Sequence, residues 1–137
     1  MMQPLRLLLI VDAAVLFLLG FLLILAPQQV ARVFHFQNLS EGVHYLIGLW
    51  GCGLVTMAIG YLSAAQDPIR HAVWVQVGIA RGALECLLSL VYLARGVVTF
   101  SQAGFGIIVA ALFAIAYAVL YPREEPLPAD AAPSATA

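Results

Sequence analysis

The sequence predicts an all-α integral membrane protein, a four-helix bundle with short loops and a disordered C-terminal tail. Three observations carry that prediction. Of the 137 residues, 64% are hydrophobic and 9% charged, whereas a soluble domain carries about 25% charged residues. The apolar residues form four runs, each long enough to cross about 30 Å of hydrocarbon, which takes roughly 20 helical residues. The seven prolines, at positions 4, 27, 68, 122, 126, 128 and 133, all fall outside those runs, as residues that break helix interiors should. The length suits a single domain.

The first span covers 5–25. Its apolar start imitates a signal peptide, but Arg6 is the only early cation, Asp12 interrupts the apolar region, and Leu25-Ala26-Pro27 has no A-x-A cleavage site. It is read as a retained span. In the loop that follows, Val30, Val33 and Phe34 share one helical face while Gln29, Arg32 and His35 fall elsewhere. A short amphipathic surface helix and an irregular loop both fit this pattern. The second span covers 45–64, and Asn38-Leu39-Ser40-Glu41 reads as the capping box that opens it. The third covers 72–94. Asp67-Pro68 reads as its N-cap and first helical residue, and Arg95-Gly96 as its end. The fourth covers 103–121 with Ser101 as its cap. Residues 122–137, rich in Pro, Ala and acids, read as the disordered tail. One side of the membrane then holds Arg6, Arg70 and Arg123 and the other Arg32 and Arg95, which places both termini in the cytoplasm.

Helices in lipid gain no hydrophobic drive from meeting, so they pack through small residues. The second span offers Gly48, Cys52, Thr56 and Gly60 at intervals of four, the third Gly78 and Gly82, and the fourth Gly106, Ala110, Ala114 and Ala118. These seams predict one bundle rather than separate anchors.

Three ionisable residues sit inside spans: Asp12, Arg81 and Glu85. A charge near the bilayer centre costs about 2.5–3.5 kcal/mol and usually turns inward and pairs. Arg81 and Glu85 lie four apart, on one face. At 1.5 Å rise per residue, Asp12 lies about 10 Å deep and Arg81 about 13 Å deep from the same side. The sequence thus predicts an Asp12–Arg81–Glu85 cluster, with Thr56 reaching Glu85 from the second span. Such a cluster either locks helices together or serves a proton, ion or small ligand. Asp12 snorkelling to the headgroups is the remaining alternative.

Other chemistries find little support. The net charge is -1, lysine is absent and the arginines form no patch, so nucleic acid is not an expected partner. There is no H-E-x-x-H, Gly-rich phosphate loop or nucleophile elbow, so no catalytic residues are assigned and no enzymatic role is expected. Cys52 and Cys86 are too far apart for a zinc or redox motif and read as buried free thiols. No two of His35, His44 and His71 share a helix face, so neither metal nor haem is expected. The histidines instead join Tyr45, Trp50 and Trp74 as interfacial residues. Arg32, His35, Glu41 and His44 are the one polar gathering at a membrane surface, where an enzyme acting on a lipid or quinone would need it.

The first span ends Leu19-Gly20-Phe21-Leu22-Leu23-Ile24-Leu25-Ala26-Pro27. Gly51-Cys52-Gly53-Leu54 follows in the second region, and later Gly60-Tyr61-Leu62-Ser63-Ala64-Ala65-Gln66-Asp67-Pro68-Ile69-Arg70-His71. A glycine ahead of a Pro-terminated first span, with an A-A-x-D-P-x-R turn between spans two and three, resembles the BphX-like four-helix bacterial membrane proteins over about residues 5–121. The resemblance implies a bacterial inner-membrane location and offers no catalytic residue to carry over. Small multidrug resistance transporters also have four spans and an acid in the first, but their first-span glutamate motif and fourth-span glycine pattern are missing here.

The expected role is therefore a non-enzymatic accessory or partner-binding membrane subunit. Its partners would be the lipid bilayer and either a second copy or another membrane protein. The alternative is a small transporter or ligand-binding membrane protein that uses the Asp12, Arg81 and Glu85 cluster.

Overall fold

A computed structural model of the chain describes residues 2–122. The tail read from 122–137 lies, apart from Pro122, outside the described residues. Five helices and no strand are present among them: α1 (Met2–Leu25), α2 (Pro27–Val33), α3 (Glu41–Gln66), α4 (Ala72–Ala94) and α5 (Phe100–Val119). Helices α1, α3, α4 and α5 are each long and apolar enough to cross a membrane.

The boundaries follow from local chemistry, which in several places differs from the expectation. Pro4 falls within α1, in its first turn, where the missing N–H has no intrahelical partner to lose. Pro27 is the first residue of α2, which occupies part of the first loop. Ala31 is its buried residue, while Val33, on the apolar face marked by the sequence, is 73% exposed. The capping box at Asn38–Glu41 is not formed. Helix α3 starts at Glu41 with Ser40 as N-cap, four residues before the span predicted from 45, and Asn38, in a left-handed conformation (φ 58°), lies outside the cap. Asp67 is the C-cap of α3 rather than the N-cap of α4. Its Oδ1 does accept the Arg70 N–H at 3.2 Å, but this capped turn stops and α4 begins only at Ala72. Thr99, not Ser101, is the N-cap of α5, with Gln102 Oε1 accepting the Thr99 N–H at 2.9 Å.

Gly96 ends α4 as the spacing predicts. It is left-handed (φ 68°), its N–H bonds to the Leu93 carbonyl, and the next N–H, of Val97, bonds to Tyr92. This is the paired closure that favours glycine.

The long helices form two hairpins, α1 with α3 and α4 with α5, and these dock side by side. Buried residues of α3 recur at intervals of three and four (Gly51, Leu54, Ala58, Tyr61, Ala65), facing Leu5, Leu9, Ala13, Leu16 and Leu23 of α1. The closest approach is Gly20 against Gly51. A Cβ on Gly51 would lie 2.7 Å from the Gly20 carbonyl oxygen, and one on Gly20 would lie 2.9 Å from that of Gly51. In the second hairpin, a Cβ on Gly82 would lie 2.6 Å from the Ala110 carbonyl oxygen and 2.8 Å from the Ala114 Cβ.

The seam expected in the second span is displaced around the helix. Cys52 and Thr56 are exposed, and even a Cβ added to Gly48 would lie 4.0 Å from its nearest neighbour, the Leu23 carbonyl oxygen. Intervals of four drift around a 3.6-residue helix, so the contact stripe follows mixed steps of three and four instead. Gly106 likewise faces open space, and Ala118 is exposed.

Candidate functional site

Each long helix sends one side chain to a common centre. Helix α1 is flanked by α3 and α5, as is α4, so α1 and α4 face each other across the bundle axis. Arg81 crosses that axis to Asp12. Its Nη2 donates to Oδ1 at 2.9 Å and to Oδ2 at 3.1 Å. Tyr117 of α5 donates its hydroxyl to Oδ2 at 2.8 Å. Tyr61 of α3 lies beneath the guanidinium, its ring centroid 5.4 Å from Cζ, close enough for a cation–π attraction. The Tyr61 and Tyr117 rings stack at 6.0 Å and 22° across the other diagonal. Asp12 is 1% exposed and the Arg81 side chain 13%.

Local sequence makes room for these groups. A Cβ on Gly78 would lie 2.7 Å from the Tyr117 ring, so this glycine seats an aromatic side chain rather than a helix backbone. Gly60 does the same for Trp74, whose ring meets Tyr61 edge-on at 5.6 Å and 70°. Trp74, in the first turn of α4, thus packs against the polar centre. Gln76 donates to the Tyr121 hydroxyl at 2.7 Å and ties α4 to the end of the fourth span.

Glu85 stands apart from the centre. Its Oε1 is 3.9 Å from Arg81 Nε, beyond hydrogen-bond range, and its side chain is 43% exposed. Arg81 Nε and Nη1 are buried without an acceptor, as is the Tyr61 hydroxyl. Thr56 does not join. Its hydroxyl donates to the Cys52 carbonyl of its own helix at 2.9 Å, a common resolution for a threonine inside a helix. Of the two free cysteines, Cys52 is exposed rather than buried, and Cys86 is half-buried with Sγ 3.5 Å from the Ile107 carbonyl.

The structure therefore brings Asp12 and Arg81 together, leaves Glu85 at the margin, and adds two tyrosines that the sequence reading did not select. No local signal marks them: Tyr61 lies five residues before the end of α3 and Tyr117 two before the end of α5, where tyrosines ordinarily read as interfacial. Chemically, the centre is a charge pair closed by hydrogen bonds on the carboxylate side and by aromatic faces on the guanidinium side. Among the described residues no three His, Cys, Asp or Glu side chains gather as a metal site. Comparison with protein-family models, characterised proteins and solved structures gives no match to this chain.

Proposed function

We propose that this chain is a multi-pass protein of the bacterial inner membrane, with both termini cytoplasmic, that acts as a non-enzymatic, partner-binding subunit. Membrane insertion is supported by the outward faces of the long helices, where Leu7, Leu18, Leu84, Leu87 and Leu112 are among many exposed large apolar residues. Kinship with the BphX-like proteins is part of the same proposal and rests on the glycine, proline and A-A-x-D-P-x-R features of the sequence.

Glu85 is the observation that carries partner binding. It lies about 20 Å along α4 from Ala72 and about 14 Å from Ala94 at helical rise, too deep for its short side chain to reach water from either end. A carboxylate on an outward face at that depth is costly unless something pairs with it. Arg81 gives Nη2 to Asp12, and its Nε faces Glu85 only at 3.9 Å, a charge contact without a hydrogen bond. A helix from a second copy or another membrane protein, bringing a hydrogen-bond donor to this face, satisfies the group. The transporter alternative asks the cluster to exchange its charge with a passing ion or ligand. Asp12, held by Arg81 and Tyr117 and 1% exposed, is poorly disposed to do so.

A photoreactive residue at Leu88, one turn from Glu85 on α4, tests the reading in living membranes. Protein adducts are expected there, reduced several-fold in Glu85→Gln and absent from the same probe at Leu18 on α1. Lipid adducts alone at Leu88 would refute a partner at this face.

A further inference from the structure

A second polar gathering lies at the end of the bundle where α1 hands over to α3. A cavity of about 340 Å³ opens there, within the range of about 300–1,000 Å³ typical of small-ligand sites. Its polar lining comes from Gln28, Arg32, Gln37, Asn38 and His44, and no carboxylate borders it. Glu41 and His35, which the sequence grouped with Arg32 and His44, do not line it.

The chemistry of that lining is directional. A guanidinium and three side-chain amides present N–H donors, and His44 Nδ1 is buried without a hydrogen-bond partner. Guanidinium forks match phosphate oxygens in geometry and charge. The cavity walls are also held in shape. His35 closes α2 in a left-handed conformation (φ 59°), its N–H bonding to the Arg32 carbonyl and that of Phe36 to Ala31. The His35 carbonyl accepts from Gln102 Nε2 of α5 at 3.2 Å, and Phe34 packs on Phe105 with ring centroids 6.5 Å apart. The loop is thereby pinned to α5, outside its own hairpin.

We propose that this cavity binds a phosphate group, carried by an anionic lipid headgroup or free in solution. The site presupposes that the long helices span a bilayer, which sets the cavity at headgroup level, but it does not depend on Glu85 recruiting a partner.

The full chain in vesicles tests it, using spin-labelled phosphatidylglycerol against spin-labelled phosphatidylcholine. Inorganic phosphate, followed by ³¹P line broadening in phosphatidylcholine vesicles, forms a second arm. Phosphatidylglycerol is expected to associate about fivefold more strongly, as one interfacial arginine provides. The preference should vanish in Arg32→Gln and persist in Arg95→Gln, which removes an exposed cation after α4 that does not line the cavity. Matching thermal melts of both variants and the parent exclude misfolding as the cause. Line broadening by inorganic phosphate that Arg32→Gln abolishes, without lipid preference, assigns the site to free phosphate. Neither response, or equal loss in the two variants, overturns the site. A chain that fails to float with the vesicles overturns it together with the membrane-spanning reading. Lipid preference in a chain without Leu88 adducts leaves this site standing while the partner proposal falls.

Discussion

The seams inside the two hairpins and the surface between the hairpins are built from opposite materials. Inside, Gly20 meets Gly51, and Gly82 meets Ala110 and Ala114, so helix backbones approach with almost nothing between them. Between the hairpins stand Arg81, Tyr61, Trp74 and Tyr117, the bulkiest amphipathic side chains of the centre, closed on one buried carboxylate. In hydrocarbon, apolar helices have no solvent-driven reason to associate, and close van der Waals contact has to do it. Small residues supply that contact but select weakly among small-residue partners. A buried ion pair adds little net stability, yet leaving one member unpaired is expensive. The difference teaches a division of roles: shape forms each hairpin, and charge selects how the two hairpins dock.

Removing Arg81 should have the largest effect. Arg81→Leu leaves the Asp12 carboxylate buried with Tyr117 as its one remaining partner, and breaking a buried pair in this way costs about 3–5 kcal/mol. Arg81→Leu combined with Asp12→Leu should recover most of that loss, since an apolar replacement of the whole pair is often neutral. Reversible unfolding in mixed micelles measures both. If the single and double variants lose equally, the docking surface depends on the arginine's bulk, and the contrast with the hairpin seams collapses.

How much of this was legible beforehand depended on whether a feature was local in the chain. The four long helices could be read because length and hydropathy are properties of a segment, and Gly96 because a helix stop is written in consecutive residues. The Asp12–Arg81 contact was reachable because charges inside apolar runs are few and their depths matched. The α3 seam was not, because a helix turns 3.6 residues at a time and which face meets a neighbour is decided by that neighbour. Gly20, passed over in α1, is what selects Gly51 over Gly48 and Cys52. Caps were misplaced for a related reason. Asp67 makes a cap-like bond to Arg70, and the short turn it caps is simply not continued into α4.

The two tyrosines divide the docking surface more finely. Tyr117→Phe keeps the ring that fills the notch at Gly78 but removes the hydroxyl donated to Asp12. A hydrogen bond to a charged group is worth about 1.5–3 kcal/mol, and a loss of that order is expected in the same unfolding measurement. Tyr61→Phe keeps the face under Arg81 and deletes a buried hydroxyl that has no partner. Removing an unsatisfied buried group should be neutral or stabilising. Destabilisation by Tyr61→Phe comparable to that of Tyr117→Phe would mean that the Tyr61 hydroxyl has an acceptor in the membrane.

At the Gly20–Gly51 contact of the first hairpin two contributions oppose, so the net effect is small. Gly51→Ala places a methyl 2.7 Å from the Gly20 carbonyl oxygen and about 3.0 Å from Leu23 and Ile24. Overpacking against backbone costs about 1–3 kcal/mol, while exchanging Gly for Ala within a helix returns up to about 1 kcal/mol. Gly106→Ala gains the same helical preference with nothing within 4 Å of the new methyl. The propensity gain is common to both variants, so the difference between them isolates the clash. Gly51→Ala should unfold more easily than the parent and Gly106→Ala less easily. If the two shift together, α1 and α3 can separate at no cost, and close backbone contact is not what holds the first hairpin.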